Sequence, residues 1–408
     1  SNVSGVRNQF GVYNHGPIIT SYAGRYWMSW YNAPVGELYD KRSVYATSTD
    51  LIHWSEPAVL FPTFAARGEE NGPWTTIGVG SAGRLYSQSG TQDAGEHHEG
   101  IISVMRRVGI GANATHPGTL GAPFWLNITV PSYCNNLTDC EYPTYLEMDD
   151  VTRRDAEQLL ASFIRTTVVT PDVGGASSGS VPSAPSAPRA ATSSFPTMQY
   201  NERSLYMVPG TRTLVLLLRG KAGGLSVSTC KLPHLKTASE QTLFSCRPGI
   251  GDAFMNLVEI VADASNASDP RTCNWSVPVM STLPDSGART CAGRFPKGSS
   301  ASAGKHLDGG VYLVGNQIES GRDPVTLALS RDGITFDRHF AIRYTSDGKQ
   351  KATITNGGAC PRWEGHAKGC GFQYPGAMID VAHQRMIVSY SIGKEDIALT
   401  HFPLRAIA

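Results

Sequence analysis

The stretch Pro17–Phe61, PIITSYAGRYWMSWYNAPVGELYDKRSVYATSTDLIHWSEPAVLF, decides the fold. It holds four short runs rich in β-branched and aromatic residues: Pro17–Tyr22, Arg25–Tyr31, Ser43–Thr47 and Trp54–Phe61. Gly, Asn and Pro punctuate them at turn-like intervals, with Ala23-Gly24 between the first two. Such runs read as strands, and four in succession read as one antiparallel sheet.

Similar modules recur along the chain without forming a clean repeat. Thr75–Val130 contains GRLYSQSG, GIISVMRRV and APFWLNITV; Phe195–Ser245 contains SLYMVPG, TLVLLLRG and LSVSTC; Gly310–Tyr344 contains GVYLVGN, VTLALS and HFAIRY. Gly251–Met280 is a poorer module, and the C-terminal stretch, with Met386–Ser391 and Ile397–Phe402, is a good one. Residues 1–13 end in Phe10, Val12 and Tyr13 and could add an edge strand to a distant sheet. Ser330-Arg-Asp-Gly-Ile-Thr-Phe336 reads as the Asp-turn of propeller blades in the form S-x-D-G-x-x-F, and Ser48–Trp54 is a degenerate copy. In that turn Asp accepts backbone amides, Gly takes a positive φ, and the aromatic fills the space between blades.

At roughly 40 to 50 residues per blade, 408 residues predict an all-β, seven-bladed, or six-bladed, β-propeller. The expected organisation is one propeller domain over residues 1–408, with an insertion at 131–194. Asp150–Ile164 within it reads as a helix, Thr152 and Asp155 standing at capping-box spacing. The Ser/Pro/Ala/Gly-rich Thr170–Ser194 reads as linker.

A net charge of +1 suggests neither a nucleic-acid-coating surface nor disorder. No apolar run reaches membrane-spanning length, so no membrane partner is expected; a monomer is expected. The eight cysteines form local couples, Cys134/Cys140, Cys230/Cys246, Cys273/Cys291 and Cys360/Cys370, which read as four disulfides. Six Asn-x-Ser/Thr sequons begin at Asn2, Asn113, Asn127, Asn136, Asn266 and Asn274. Together these features predict a secreted, extracellular glycoprotein. No leader is visible, as expected of a mature form.

The densest polar cluster is Asp93–Glu99, with Glu96, His97 and His98, and His116 follows on what would be the next strand or connection. Histidines beside carboxylates suit acid/base work. No zinc signature is matched, so no cofactor is expected, although a structural metal of unknown identity is left open. Tyr200 and Tyr206 precede Thr213–Arg219, an apolar run closed by a cation that needs either solvent or an anion. Arg289 and Arg294 are further candidates. Asn14-His15 near the first strand, and His366, Lys368 and Tyr374 near the end, stand where strand-end loops would converge. Glycosidases commonly need two facing carboxylates. His, Tyr and Arg are better placed here, a set suited to β-elimination from a uronic acid.

The combination NHGPIIT, STDLIHWSEP, GRFPKG, RDPVTLALSRDGITF, GFQYPGAMID and MIVSYSIGKEDIAL resembles sialidase-like seven-bladed propellers that include ulvan lyases and rhamnose-α-1,4-glucuronate lyases. The similarity lies over residues 10–60 and 284–404. The resemblance implies a lyase acting on an acidic polysaccharide, with His97 or His98 and His116, Tyr200 or Tyr206, and Arg219 as its catalytic set. Asn14, His15, Arg294, His366, Lys368 and Tyr374 would line the substrate. Similar propellers also include an α-L-rhamnosidase using a histidine near the N-terminus, a role for His15 in a hydrolase. A carbohydrate-binding propeller without catalysis is the third reading.

Overall fold

A computed structural model describes residues 11–34, 36, 41–62, 74–79, 83–92, 101–126, 142–156, 200–211, 213–220, 225–231, 276, 279–285, 288–296, 307–318, 321–345 and 371–408. The fold is all-β, and the described strands form five sheets. The first is β1 (Tyr13–Tyr22), β2 (Arg25–Ala33), β3 (Arg42–Ser48) and β4 (Ala58–Phe61), in chain order, as the Pro17–Phe61 pattern predicts. The second is β5 (Trp74–Val79), β6 (Leu85–Gln92), β7 (Ile101–Arg107) and β8 (Pro123–Trp125). The third is β9 (Tyr200–Met207), β10 (Thr213–Gly220), β11 (Leu225–Lys231) and β12 (Val279–Met280). The fourth is β13 (Cys291–Arg294), β14 (Val311–Gly315), β15 (Val325–Ser330) and β16 (Arg338–Arg343). The last has three strands, β17 (Phe372–Asp380), β18 (Arg385–Ile392) and β19 (Asp396–Pro403).

Every described pairing within these sheets is antiparallel. The first strands of the sheets meet one another: β1 packs on β17 and β5, and β13 packs on β9 and β17. That is a β-propeller with five blades among the described residues, which corrects the expected seven or six. Dividing length by blade size counted every residue toward a blade. Here residues 127–199, 232–275 and 346–370 contribute no described strand, so the described residues make fewer blades than the length allowed.

The helix is described only over 150–156, and its cap is Asp149 rather than the Thr152/Asp155 pair. Asp149 Oδ1 accepts the Val151 and Thr152 amides at 3.1 and 3.0 Å, and its Oδ2 accepts the Thr152 hydroxyl at 2.6 Å. The carboxylate reaches two amides that a threonine hydroxyl one turn later cannot. Residues 1–10, most of the insertion, and the poorer module Gly251–Met280 apart from a few residues lie outside the described residues.

The four expected disulfides meet the described residues at one cysteine. Cys291, buried in β13, is disulfide-bonded. The side chains of Cys134, Cys140, Cys230, Cys246, Cys273, Cys360 and Cys370 lie outside the described residues, so none of the couples is described as a pair. Among the described residues no cysteine is free.

Both Asp-turns have the geometry their sequences predict. Asp332 Oδ1 accepts the Ile334 and Thr335 amides at 2.8 and 2.7 Å, Ser330 Oγ accepts Gly333 N–H at 2.8 Å, and Gly333 has φ +71°. Those amides hold the Asp332 carboxyl down to about 2. In the first sheet Asp50 Oδ1 accepts Ile52 and His53 amides, both at 2.8 Å, and Leu51 takes φ +69° where the motif has glycine. The aromatics then bridge blades. Phe336 lies edge-on to Tyr206 of the third sheet, whose hydroxyl donates to Gly333 O at 2.8 Å. Trp54 packs on a cluster joining Ile19, Tyr26 and Leu51 to Met378, Ile387 and Leu399 of the last sheet.

Contacts between the first and last sheets close the ring. Tyr26 donates to Asp380 Oδ2 at 2.5 Å, and Arg385 Nε reaches the same oxygen at 2.9 Å. Asn14 N–H donates to Lys394 O at 2.7 Å, and Asn14 Nδ2 to Glu395 O at 2.7 Å. Between them the backbones touch at Gly376, where an added Cβ would meet Pro17 O at 2.7 Å and Ser389 Oγ at 2.9 Å. Gly376→Ala is therefore expected to destabilise the fold by about 1–3 kcal/mol, since the nearest atom is backbone and cannot rotate away. A denaturant midpoint unchanged from wild type would show that the seam has slack.

Candidate active site

Up-and-down strands alternate their turns between two faces of a propeller. The starts of β1, β13 and β17 share one face with the β14–β15 and β18–β19 connections. The other face carries Ala23-Gly24, both Asp-turns and Val381–Gln384. The candidate site lies on the first, where two strand irregularities meet. In β1 the register against β2 slips between His15 and Ile18, at Gly16-Pro17. In β17 the register against β18 slips between Gln373 and Gly376, at Tyr374-Pro375. A bulge bends its strand and re-aims a side chain. Here the two bring His15 and Tyr374 together, ring centroids 4.0 Å apart.

Each bulge needs its local chemistry. Gly16 has φ +62°, and a Cβ there would lie 2.4 Å from the Tyr31 ring, so only glycine lets that ring close beside His15. Tyr374 itself has φ +53°, an uncommon conformation for a non-glycine residue and one found at functional positions. Tyr31 stands edge-on to His15 at 5.3 Å, and Tyr13 lies 6.0 Å from it. Asn14 is braced from behind, its Oδ1 accepting Trp30 Nε1 and Asn32 Nδ2, each at 2.9 Å.

Cations surround this aromatic group. The Arg289 and Arg322 guanidiniums lie 5.5 and 5.4 Å from the Tyr374 ring centroid, and Lys394 Nζ is 5.8 Å from that of Tyr13. Arg322 also donates from Nη1 to Gln373 Oε1. His15 is fully buried, with Nδ1 2.7 Å from Ser391 Oγ. Burial first, then the charges of Lys394, Arg322, Arg289 and Lys41, pull its pKa well below the ordinary 6.5. His15 is thus a neutral imidazole at neutral pH, in a field favouring an incoming anion.

The expected residues divide unevenly. His15, Asn14 and Tyr374 come together at this site. His97, His98, His366 and Lys368 lie outside the described residues. His116 is exposed in the β7–β8 connection, on the opposite face: neighbouring Ala114 O accepts Arg25 from the β1–β2 turn at 3.0 Å. It does not join the set. Tyr200 begins β9 and Arg219 nearly ends β10, so their backbones are adjacent in register, Arg219 opposite Asn201 and Gly220 opposite Tyr200. β9 finishes with Tyr206 bonded to Gly333 on the far face, which puts Tyr200 and Arg219 at the same face as His15. Tyr206 is buried there as a strut between blades. Arg294 gives Nε and Nη2 to Gly309 O at 3.1 and 3.0 Å, pinning the turn before β14.

Arg322, Lys394, Tyr13 and Tyr31 escaped the sequence reading. The usable signal was Gly or Pro inside a strand pattern, His15-Gly-Pro and Tyr374-Pro-Gly, which marks bulges. Among the described residues no group of three or more His, Cys, Asp or Glu could hold a metal ion. No described helix is long and apolar enough to cross a membrane. Of the sequons only Asn113 is described, exposed, with Oδ1 accepting the Thr115 amide and hydroxyl at 2.9 and 2.8 Å. Asn2, Asn127, Asn136, Asn266 and Asn274 lie outside the described residues.

Comparison with known proteins agrees on the fold. The family model "Beta-prop_BT_1020:-like, N-terminal beta propeller" matches residues 4–77. No curated protein sequence matches the chain. A solved structure named "Sialidase" is 17% identical with a TM-score of 0.60, covering 96% of this chain and 31% of its own. "Hadza microbial sialidase Hz136" is 12% identical with a TM-score of 0.52, covering 100% of this chain and 69% of its own. The chain thus has a sialidase-like propeller fold and spans about a third of the first of these proteins.

The depressed His15 pKa sets a pH dependence. The unfolded chain binds a proton at this histidine below about 6.5 and the folded chain does not, so stability present above 6.5 is expected to fall as pH drops further. His15→Gln is expected to flatten that acid limb relative to wild type. Parallel melting curves across pH for the two proteins would contradict the burial of a neutral imidazole.

Proposed function

We propose that this chain is an enzyme that cleaves an acidic glycan by β-elimination at a uronate. The observation that carries the reading is the convergence of Arg289, Arg322 and Lys394 on the His15–Tyr374 pair. The positive field that helps keep the buried imidazole neutral would also attract a sugar carboxylate. Arginine suits this task because its planar fork matches a carboxylate.

With its carboxylate neutralised, the uronate carbon acid at C5 becomes easier to deprotonate. His15, uncharged, accepts that proton. The electron pair left on C5 forms the C4–C5 double bond as the C4–O4 bond breaks, and the Tyr374 hydroxyl gives its proton to the departing O4. The products are an unsaturated uronate and a glycan with a new hydroxyl end. Arg219 and Tyr200, whose backbones lie at the same face, are assigned to the rest of the substrate. Secretion, the remaining disulfides and glycosylation at Asn113 belong to the same proposal.

A sialidase-like or rhamnosidase-like hydrolase is the second reading, favoured by the names of the two fold neighbours and by His15 at the hub. Sialic acid also carries a carboxylate, so the cation cluster suits both. The bond chemistry separates them. Incubation with gum arabic, ulvan, glucuronan, glycosaminoglycans and sialylated glycans is expected to give ultraviolet absorbance from a conjugated unsaturated uronate. New reducing ends without that absorbance would assign a hydrolase, and sugar binding with neither signal a lectin. Arg322→Ala and Tyr374→Phe are each expected to lower turnover by about a hundredfold. Wild-type rates in both would remove the hub from the mechanism.

A further inference from the structure

We propose that Ser391 is a positioning residue that holds His15 as the tautomer protonated on Nδ1, leaving the Nε2 lone pair as the proton acceptor of the hub. Its part in catalysis rests on the β-elimination reading above; the tautomer itself does not.

A hydroxyl has one hydrogen to give. Ser391 Oγ lies 3.2 Å from Gln373 O and 2.7 Å from His15 Nδ1. The carbonyl can only accept, so the Ser391 hydrogen points to Gln373 O. Ser391 Oγ is then left to accept, and the hydrogen in the shorter contact comes from Nδ1. The opposite assignment would set two oxygen lone pairs against each other at 3.2 Å, with both residues fully buried and no solvent to relieve them. A neutral imidazole carries one N–H, so Nε2 holds the lone pair. Nε2 is buried and has no hydrogen-bond partner among the described residues.

Two irregularities produce this contact. Gln373 faces Ser391 just before the β17 register slips, and His15 lies just before the slip in β1. The imidazole is also caged by Tyr374 at 4.0 Å and Tyr31 at 5.3 Å. The tautomer is thus selected by one hydroxyl, and the ring orientation is set by two aromatic neighbours.

Nitrogen NMR of histidine-labelled protein tests this without substrate, His15 being assigned by comparison with His15→Gln. The expected wild-type spectrum shows a protonated, pyrrole-like Nδ1 and a pyridine-like Nε2. Ser391→Ala is expected to lose this preference and to lower kcat at least about tenfold with KM little changed, while Ser391→Thr, which keeps the hydroxyl, restores both. A wild-type His15 protonated on Nε2 overturns the proposal whatever the variants do. So does a Ser391→Ala protein whose tautomer and kcat match wild type. If the Nδ1–H tautomer is found but no glycan yields an unsaturated product, the β-elimination reading fails and the positioning by Ser391 stands.

Discussion

The seam between the first and last sheets is the constraint on which the rest of this propeller depends. A ring of blades has no stable open form of the same shape, because each sheet buries its faces against two neighbours. Here β1 and β17 lie so close that Gly376 rests on the Pro17 carbonyl. The seam is fastened at both faces: Asn14 bonds the backbone around Lys394 on one, and Tyr26, Asp380 and Arg385 interlock on the other. Between them Ile19, Tyr26 and Leu51 share an apolar cluster with Met378, Ile387 and Leu399. Burial along the seam supplies the stability, and the polar fasteners set the register.

The same seam makes the site. Each of the two closing strands is interrupted near its start, and each interruption turns one ring inward, His15 from β1 and Tyr374 from β17. The pair exists only when the ring is shut, so folding and assembly of the reactive groups are one event. The cations come from elsewhere: Arg289 from the run into β13, Arg322 from the β14–β15 connection, Lys394 from the β18–β19 turn. The two guanidiniums lie within 5.5 Å of the Tyr374 ring centroid, and burial together with the charges of Lys394, Arg322 and Arg289 keeps His15 neutral.

Much of the fold was legible in the chain because strands and turns are local. Pro17–Phe61 reads as four strands and forms four. Ser330–Phe336 reads as an Asp-turn and is one, and Leu51 shows that the degenerate copy keeps the geometry even without glycine. The blade number was not legible, because chain length alone does not count sheets. Cys291–Arg294, four residues long and flanked by Pro and Gly, carries too little pattern to stand out as the innermost strand of its sheet. The helix cap was missed by one turn, since Asp149 accepts the Val151 and Thr152 amides and also takes the Thr152 hydroxyl hydrogen.

The amino-acid sequence by itself determined the strands, the Asp-turns, the all-β class and the residue types available for chemistry, because each depends on neighbours within a few positions. Only the tertiary structure decided which of those residues meet. Histidine and arginine were plentiful in the pattern, yet His116 went to the far face while His15, Tyr374, Arg289 and Arg322 converged from four separate stretches. That choice depends on ring closure, which brings together residues more than three hundred positions apart, as with His15 and Ser391. No local periodicity encodes such a contact.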